Sequence, residues 1–140
     1  MEQHYEMTKG VHTFACYRQG SGERLILAHC SGGSHRQWQS LAELASRRYE
    51  VIAPDFLGYG KSGRFSSWGI ADNPDLSLLM ELLDESREPA HLVGHSYGGA
   101  LALRAALQLP HRVRSLTLYE PVAFNLLRDH GYHGPWANIS

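Results

Sequence analysis

The stretch Ala90-His91-Leu92-Val93-Gly94-His95-Ser96-Tyr97-Gly98-Gly99 decides how this 140-residue chain folds. A largely apolar run, Ala90 to Val93, leads into the glycines, and a second apolar stretch, Ala100 to Leu109, leads out with helical spacing. A strand that turns sharply into a helix through small-x-Ser-x-small is a nucleophile elbow. The turn is so tight that the residues two before and two after the serine collide with neighbouring backbone unless they are small, and Gly94 and Gly98 fill those places. The Ser96 hydroxyl is then left above the carboxyl end of a strand and at the amino end of a helix, where developing negative charge is favoured. The plain alternative is a glycine-rich turn whose serine merely caps the helix.

Working outward, the flanks alternate strand and helix. Residues 3–8 and 11–18 read as a hairpin around Lys9-Gly10, and Gln19 to Glu23 as a turn. Arg24 to His29 is a continuous, mostly apolar run, the pattern of a strand buried on both faces of a parallel sheet. Ser31-Gly32-Gly33-Ser34 is a loop, with Ser34 placed to cap a helix from about His35 to Arg48 whose stripe is Trp38, Leu41, Leu44 and Ala45. Tyr49 to Ala53 reads as the next strand, and residues 54–71 as a long loop rich in Gly and Ser. Asp72 is the expected cap of a helix from Asn73 to Ser86 with Leu76, Leu79, Met80 and Leu83 inward. His91 to Gly94 enters the elbow, Val113 to Tyr119 is a further strand, and residues 122–128 begin a short helix. Such alternation predicts βαβ units, a mainly parallel sheet and a site beyond the carboxyl ends of its strands. Three loops leave from those ends, after His29, Ala53 and Gly94, and all carry glycines and hydroxyls.

The totals exclude several classes. Thirteen Lys and Arg against fourteen Asp and Glu give no basic face for nucleic acid or an anionic membrane. No stretch approaches the roughly 18 apolar residues of a membrane span, and the polar start Met1-Glu2-Gln3-His4 lacks a signal region. Two cysteines, Cys16 and Cys30, without CxxC spacing predict neither a disulfide framework nor a zinc site, and so a cytoplasmic chain. The length fits one domain, residues 1–140. Gly58-Tyr59-Gly60-Lys61-Ser62 lacks the earlier glycine of a phosphate loop, because Asp55 stands there.

Three motifs together, Leu27 to Ser34, Pro54 to Ser62 and Gly94 to Gly99, resemble the α/β-hydrolase superfamily in order and spacing over residues 11–128. The resemblance implies an incomplete α/β-hydrolase fold: a mostly parallel sheet of five to six strands flanked by helices, without the C-terminal strands and with a lid only begun after about residue 121. It implies a Ser-nucleophile hydrolase acting on a small-molecule ester or related carbonyl compound without a cofactor. Ser96 is the implied nucleophile; the second position of the usual His-Gly pair is occupied here by Cys30. The backbone N–H of Tyr97 and that of Ser31, or else Cys30, would form the oxyanion hole. Cys30, Gly32 and His95 would line the substrate site, and Asp55 would organise its loop. Glu120, at the end of the strand after the elbow helix, is the candidate acid.

The base is the unfilled role. His95 adjoins Ser96 but should leave the tight turn in another direction, His29 opens the oxyanion loop, and His111 lies at the far end of the helix. His130 and His133 would have to fold back, and Asp129-His130 with His133 lacks a third metal ligand, so no metal is expected. The alternative function is an inactive homologue that binds a ligand or partner. An open edge at Val113 to Tyr119 would invite self-association.

Overall fold

A computed structural model describes residues 3–9, 12–58 and 73–120. Six strands form one sheet in the order β1-β2-β4-β3-β5-β6. They are β1 (Gln3–Lys9), β2 (His12–Gln19), β3 (Glu23–Ala28), β4 (Tyr49–Pro54), β5 (Ala90–His95) and β6 (Val113–Tyr119). β1 and β2 pair as the expected antiparallel hairpin, and β2 joins β4 antiparallel. From β4 through β3 and β5 to β6 every pairing is parallel. The central pairs bring Ala28 opposite Gly94, which sets the end of β3 beside the elbow.

The apolar runs form buried strands because helices cover the sheet. α2 (Pro74–Asp84) and α3 (Tyr97–Gln108) lie over a large core of Phe14, Ile26, Ile52, Leu79, Leu83, Leu92 and Leu101. A smaller cluster of Tyr17, Leu27, Ala42, Val51 and Ala53 gathers around α1 (Gln39–Ala45). At about 25 cal/mol per Å2 of apolar area, each fully buried leucine contributes about 2 kcal/mol. Arg24, inside the run read as apolar, is buried. Its guanidinium donates to the carbonyls of Leu82 at 2.5 Å, Leu83 at 3.0 Å and Glu88 at 2.8 Å, so it caps the end of α2 and closes the turn beyond.

Three local expectations are corrected. The helix read over His35 to Arg48 is a 3-10 turn, His35–Trp38, followed by a short α1 that stops at Ala45. Ser34 does cap it, accepting the Arg36 N–H at 3.2 Å. A 3-10 turn advances about 120° per residue against about 100° in an α-helix, so the phase of the stripe slips. Ala42 is therefore the buried residue of α1, Trp38 and Ala45 pack beside it, and Leu41 and Leu44 are exposed. The cap of α2 is Asn73, whose side chain accepts the Leu76 N–H at 3.0 Å, with Pro74 in the first turn; Asp72 lies outside the described residues. Its inward face is broader than read, adding Leu78 and Leu82. The segments 60–62, 122–128 and 129–133 also lie outside the described residues.

Candidate active site

The elbow has the geometry its glycines dictate. Ser96 adopts φ 55 and ψ −115 between β5 and α3. That conformation is sparsely populated for a residue with a Cβ and costs on the order of 1–3 kcal/mol. A Cβ on Gly94 would lie 2.5 Å from the Gly98 carbonyl oxygen, and one on Gly98 would overlap the carbonyl oxygens of Ala28 and His29. The second glycine thus lets the start of α3 rest directly on the end of β3. The Ser96 N–H donates to the Tyr119 carbonyl at 3.0 Å, which ties the strained residue to β6. Ser96 makes no side-chain cap to α3, so the capping-serine alternative does not describe this turn. Ser96 is half-buried at the helix start instead.

The loop after β3 is a turn of Cys30 to Gly33, closed by the Gly33 N–H donating to the Cys30 carbonyl at 3.1 Å. Its third position requires a positive φ, and Gly32 supplies φ 79. The Cys30 N–H is bonded to Gln37 Oε1 at 2.9 Å. The Ser31 N–H, next along the turn, has no acceptor among the described residues. Tyr97 opens α3, and its N–H belongs to the first turn, whose amides point out of the helix end.

Two buried polar side chains hold the loop after β4 against this floor. His29 receives the Phe56 N–H on Nε2 at 2.8 Å, so Nδ1 carries the proton and donates to the Cys30 carbonyl at 2.7 Å. Burial lowers the His29 pKa, against the opposing pull of the Cys30 carbonyl and of Asp55 and Asp75. Asp75, fully buried, accepts Leu57 N–H at 2.7 Å, Gly58 N–H at 3.1 Å and the Tyr97 hydroxyl at 2.7 Å. It therefore joins the post-β4 loop and α2 to the residue after Ser96. Sequence reasoning missed it, because an acid in the first turn of a helix reads as an ordinary dipole partner. Asp55 is a loop organiser, as expected: it accepts the His35 N–H at 2.6 Å and pairs with the His35 ring at 2.9 Å.

The remaining candidates divide. His95 lies on the elbow with its ring 4.8 Å from that of Tyr119. Its Nδ1 takes a hydrogen bond from Gln37 Nε2 at 2.6 Å, and its Nε2 is 4.0 Å from Glu120 Oε1. Both nitrogens thus face partners other than Ser96. Glu120, with φ 45 just beyond β6, is brought to His95 and is largely exposed. His111 ends up in the turn after α3, away from the elbow. Among the described residues no histidine is hydrogen-bonded to the Ser96 hydroxyl, and no cluster of three metal-ligating side chains occurs. No helix among them is long and apolar enough to cross a membrane.

Comparison with known proteins places this geometry. The chain is 33% identical over 121 residues to a 2-hydroxy-6-oxo-2,4-heptadienoate hydrolase of Pseudomonas putida, covering 84% of this chain and 44% of that one. It is 35% identical over 106 residues to the lipase LipV of Mycobacterium tuberculosis, covering 75% and 40%. A haloalkane dehalogenase structure from Agrobacterium tumefaciens superposes with a TM-score of 0.71 over 86% of this chain and 42% of the other, at 24% identity, a likeness of fold. The chain spans less than half the length of the curated relatives it matches. A family model described as the alpha/beta hydrolase fold matches residues 23–136, from β3 past the three loops that meet at the elbow, and the chain belongs to that family.

Proposed function

We propose that this chain carries the nucleophile and the oxyanion site of a serine hydrolase acting on an ester or related carbonyl compound. The observation that supports the reading is the backbone of Ser96, held at φ 55 between two glycines that leave no room for a side chain. Strain of this kind persists where surrounding structure enforces it, and here it presents a hydroxyl at a helix start. In this reading Ser96 Oγ forms a bond to the carbonyl carbon as a base takes its proton, and the C=O electron pair moves onto oxygen. The N–H groups of Tyr97 and Ser31 stabilise that oxyanion. Collapse breaks the bond to the leaving group, which takes the proton, and water then releases the acyl group from Ser96 by the same steps. Cys30, with its N–H held by Gln37, contributes its side chain and not its amide. Gly32 and His95 border the same opening. The base comes from outside the described residues. The hydrolase and lipase names of the relatives support the reaction class and leave the substrate open.

A second reading, an inactive family member that binds a ligand, is favoured by one observation: no described histidine reaches the Ser96 hydroxyl. Incubation with a fluorophosphonate probe separates the two. The first reading expects labelling that Ser96→Ala abolishes. A chain that melts cooperatively yet stays unlabelled supports the second.

A further inference from the structure

A carboxamide joins the two halves of this site. Gln37, in the 3-10 turn after the oxyanion loop, accepts the Cys30 N–H on Oε1 at 2.9 Å. With that oxygen used, its Nε2 can only donate, and it donates to His95 Nδ1 at 2.6 Å. The neutral imidazole must then carry its proton on Nε2, the nitrogen 4.0 Å from Glu120 Oε1. A line of polar groups therefore runs from the oxyanion loop through Gln37 and His95 to the end of β6, passing beside the nucleophile without touching it.

We propose that Gln37 is a positioning residue, which sets the oxyanion loop over the elbow and holds His95 as its Nε2–H tautomer. Each end of the carboxamide has one role. Turned over, it would present an N–H to the Cys30 N–H, so the bridge has a single orientation. It also has a single charge state. A protonated His95 has no lone pair on Nδ1 and cannot accept from Gln37. The titratable groups facing the ring among the described residues are Glu120 and Tyr119, both from β6 and its end; from the 3-10 turn only the uncharged Gln37 faces it.

The catalytic consequence rests on the proposed role of Ser96, whereas the bridge itself does not, so the test reads both. Long-range proton–nitrogen spectra of the chain labelled at histidine give the His95 tautomer, and amide exchange gives the protection of Cys30 N–H. The native chain is expected to show Nε2–H on His95. Gln37→Ala should mix the tautomers and speed Cys30 exchange by about tenfold, the loss of one hydrogen bond. Gln37→Glu keeps an acceptor for Cys30 N–H but has no N–H for Nδ1, so His95 should switch to Nδ1–H, a change that general loosening would not produce. An Nδ1–H tautomer in the native chain, or one tautomer in all three proteins, overturns the bridge. Where Ser96 is labelled by a fluorophosphonate, Gln37→Ala should slow labelling about tenfold; an unchanged rate with a switched tautomer overturns the positioning role alone. A chain whose Ser96 is never labelled refutes the reaction and leaves the bridge to be decided by the spectra.

Discussion

The elbow and the loop after β4 lie side by side at the same end of the sheet, and they are held by different physics. At the elbow the backbone leaves no alternative: Gly94 and Gly98 touch carbonyl groups directly, and Ser96 is stitched to β6 by its own N–H. The loop at residues 55–58 is held by side chains that reach in from elsewhere, His29 from the end of β3 and Asp75 from α2. The first arrangement is built from close contact and tolerates no added atom. The second is built from hydrogen bonds to buried groups and responds to loss of a partner or to pH.

This contrast sets the scale of what mutations should do. Gly98→Ala places a methyl group into the Ala28 and His29 carbonyl oxygens, so β3 and α3 must separate. It should cost about 3 kcal/mol or more in urea denaturation. A loss under about 1 kcal/mol would mean that the contact yields, and the contrast would fail on its firmer side. Asp75→Ala leaves two amides and the Tyr97 hydroxyl without their buried acceptor. The expected loss is about 3 kcal/mol, while Tyr97→Phe, which removes the hydroxyl's bond alone, should lose about 1 kcal/mol.

A pH dependence sharpens the comparison further. Burial lowers the His29 pKa in the folded chain, so below its ordinary value near 6.5 the unfolded chain binds the proton more readily. Stability should therefore be level above that pH and fall as pH drops through it, by at most about 1.4 kcal/mol per pH unit for one proton. His29→Gln should flatten that slope when melting is followed from pH 7 to 5; an equal slope in both proteins would assign the effect to another group. The change expected at Ser96 has the opposite sign. Ser96→Gly relieves the backbone at φ 55 and should stabilise the chain by about 1 kcal/mol, seen as a raised melting temperature.

The same division explains what could be read from the amino-acid sequence. The elbow was legible because tight backbone contact demands glycine at fixed spacing, and the central strands β3 and β4 were legible because burial on both faces favours apolar runs. The role of Asp55 as a loop organiser followed from its motif. Asp75 and Gln37 carried no signal, since one buried acid or one amide looks like any surface residue until the chain brings its partners together. Arg24 was hidden in an apolar run, though its three carbonyl acceptors lie far along the chain. The stripe of Trp38, Leu41, Leu44 and Ala45 misled because periodicity assumes one helix type, and the first turn is 3-10. The turn after β3 was legible as a loop, while the bond that occupies the Cys30 N–H, to Gln37, was not.

The central claim is that Ser96 is a nucleophile and not a residue of a glycine-rich turn. Mass spectrometry of the folded chain after fluorophosphonate treatment tests it most directly. The account predicts one adduct per chain, mapped to the peptide containing Ser96 and absent in Ser96→Ala. An unmodified chain that still melts cooperatively, or an adduct that persists in Ser96→Ala, would contradict it.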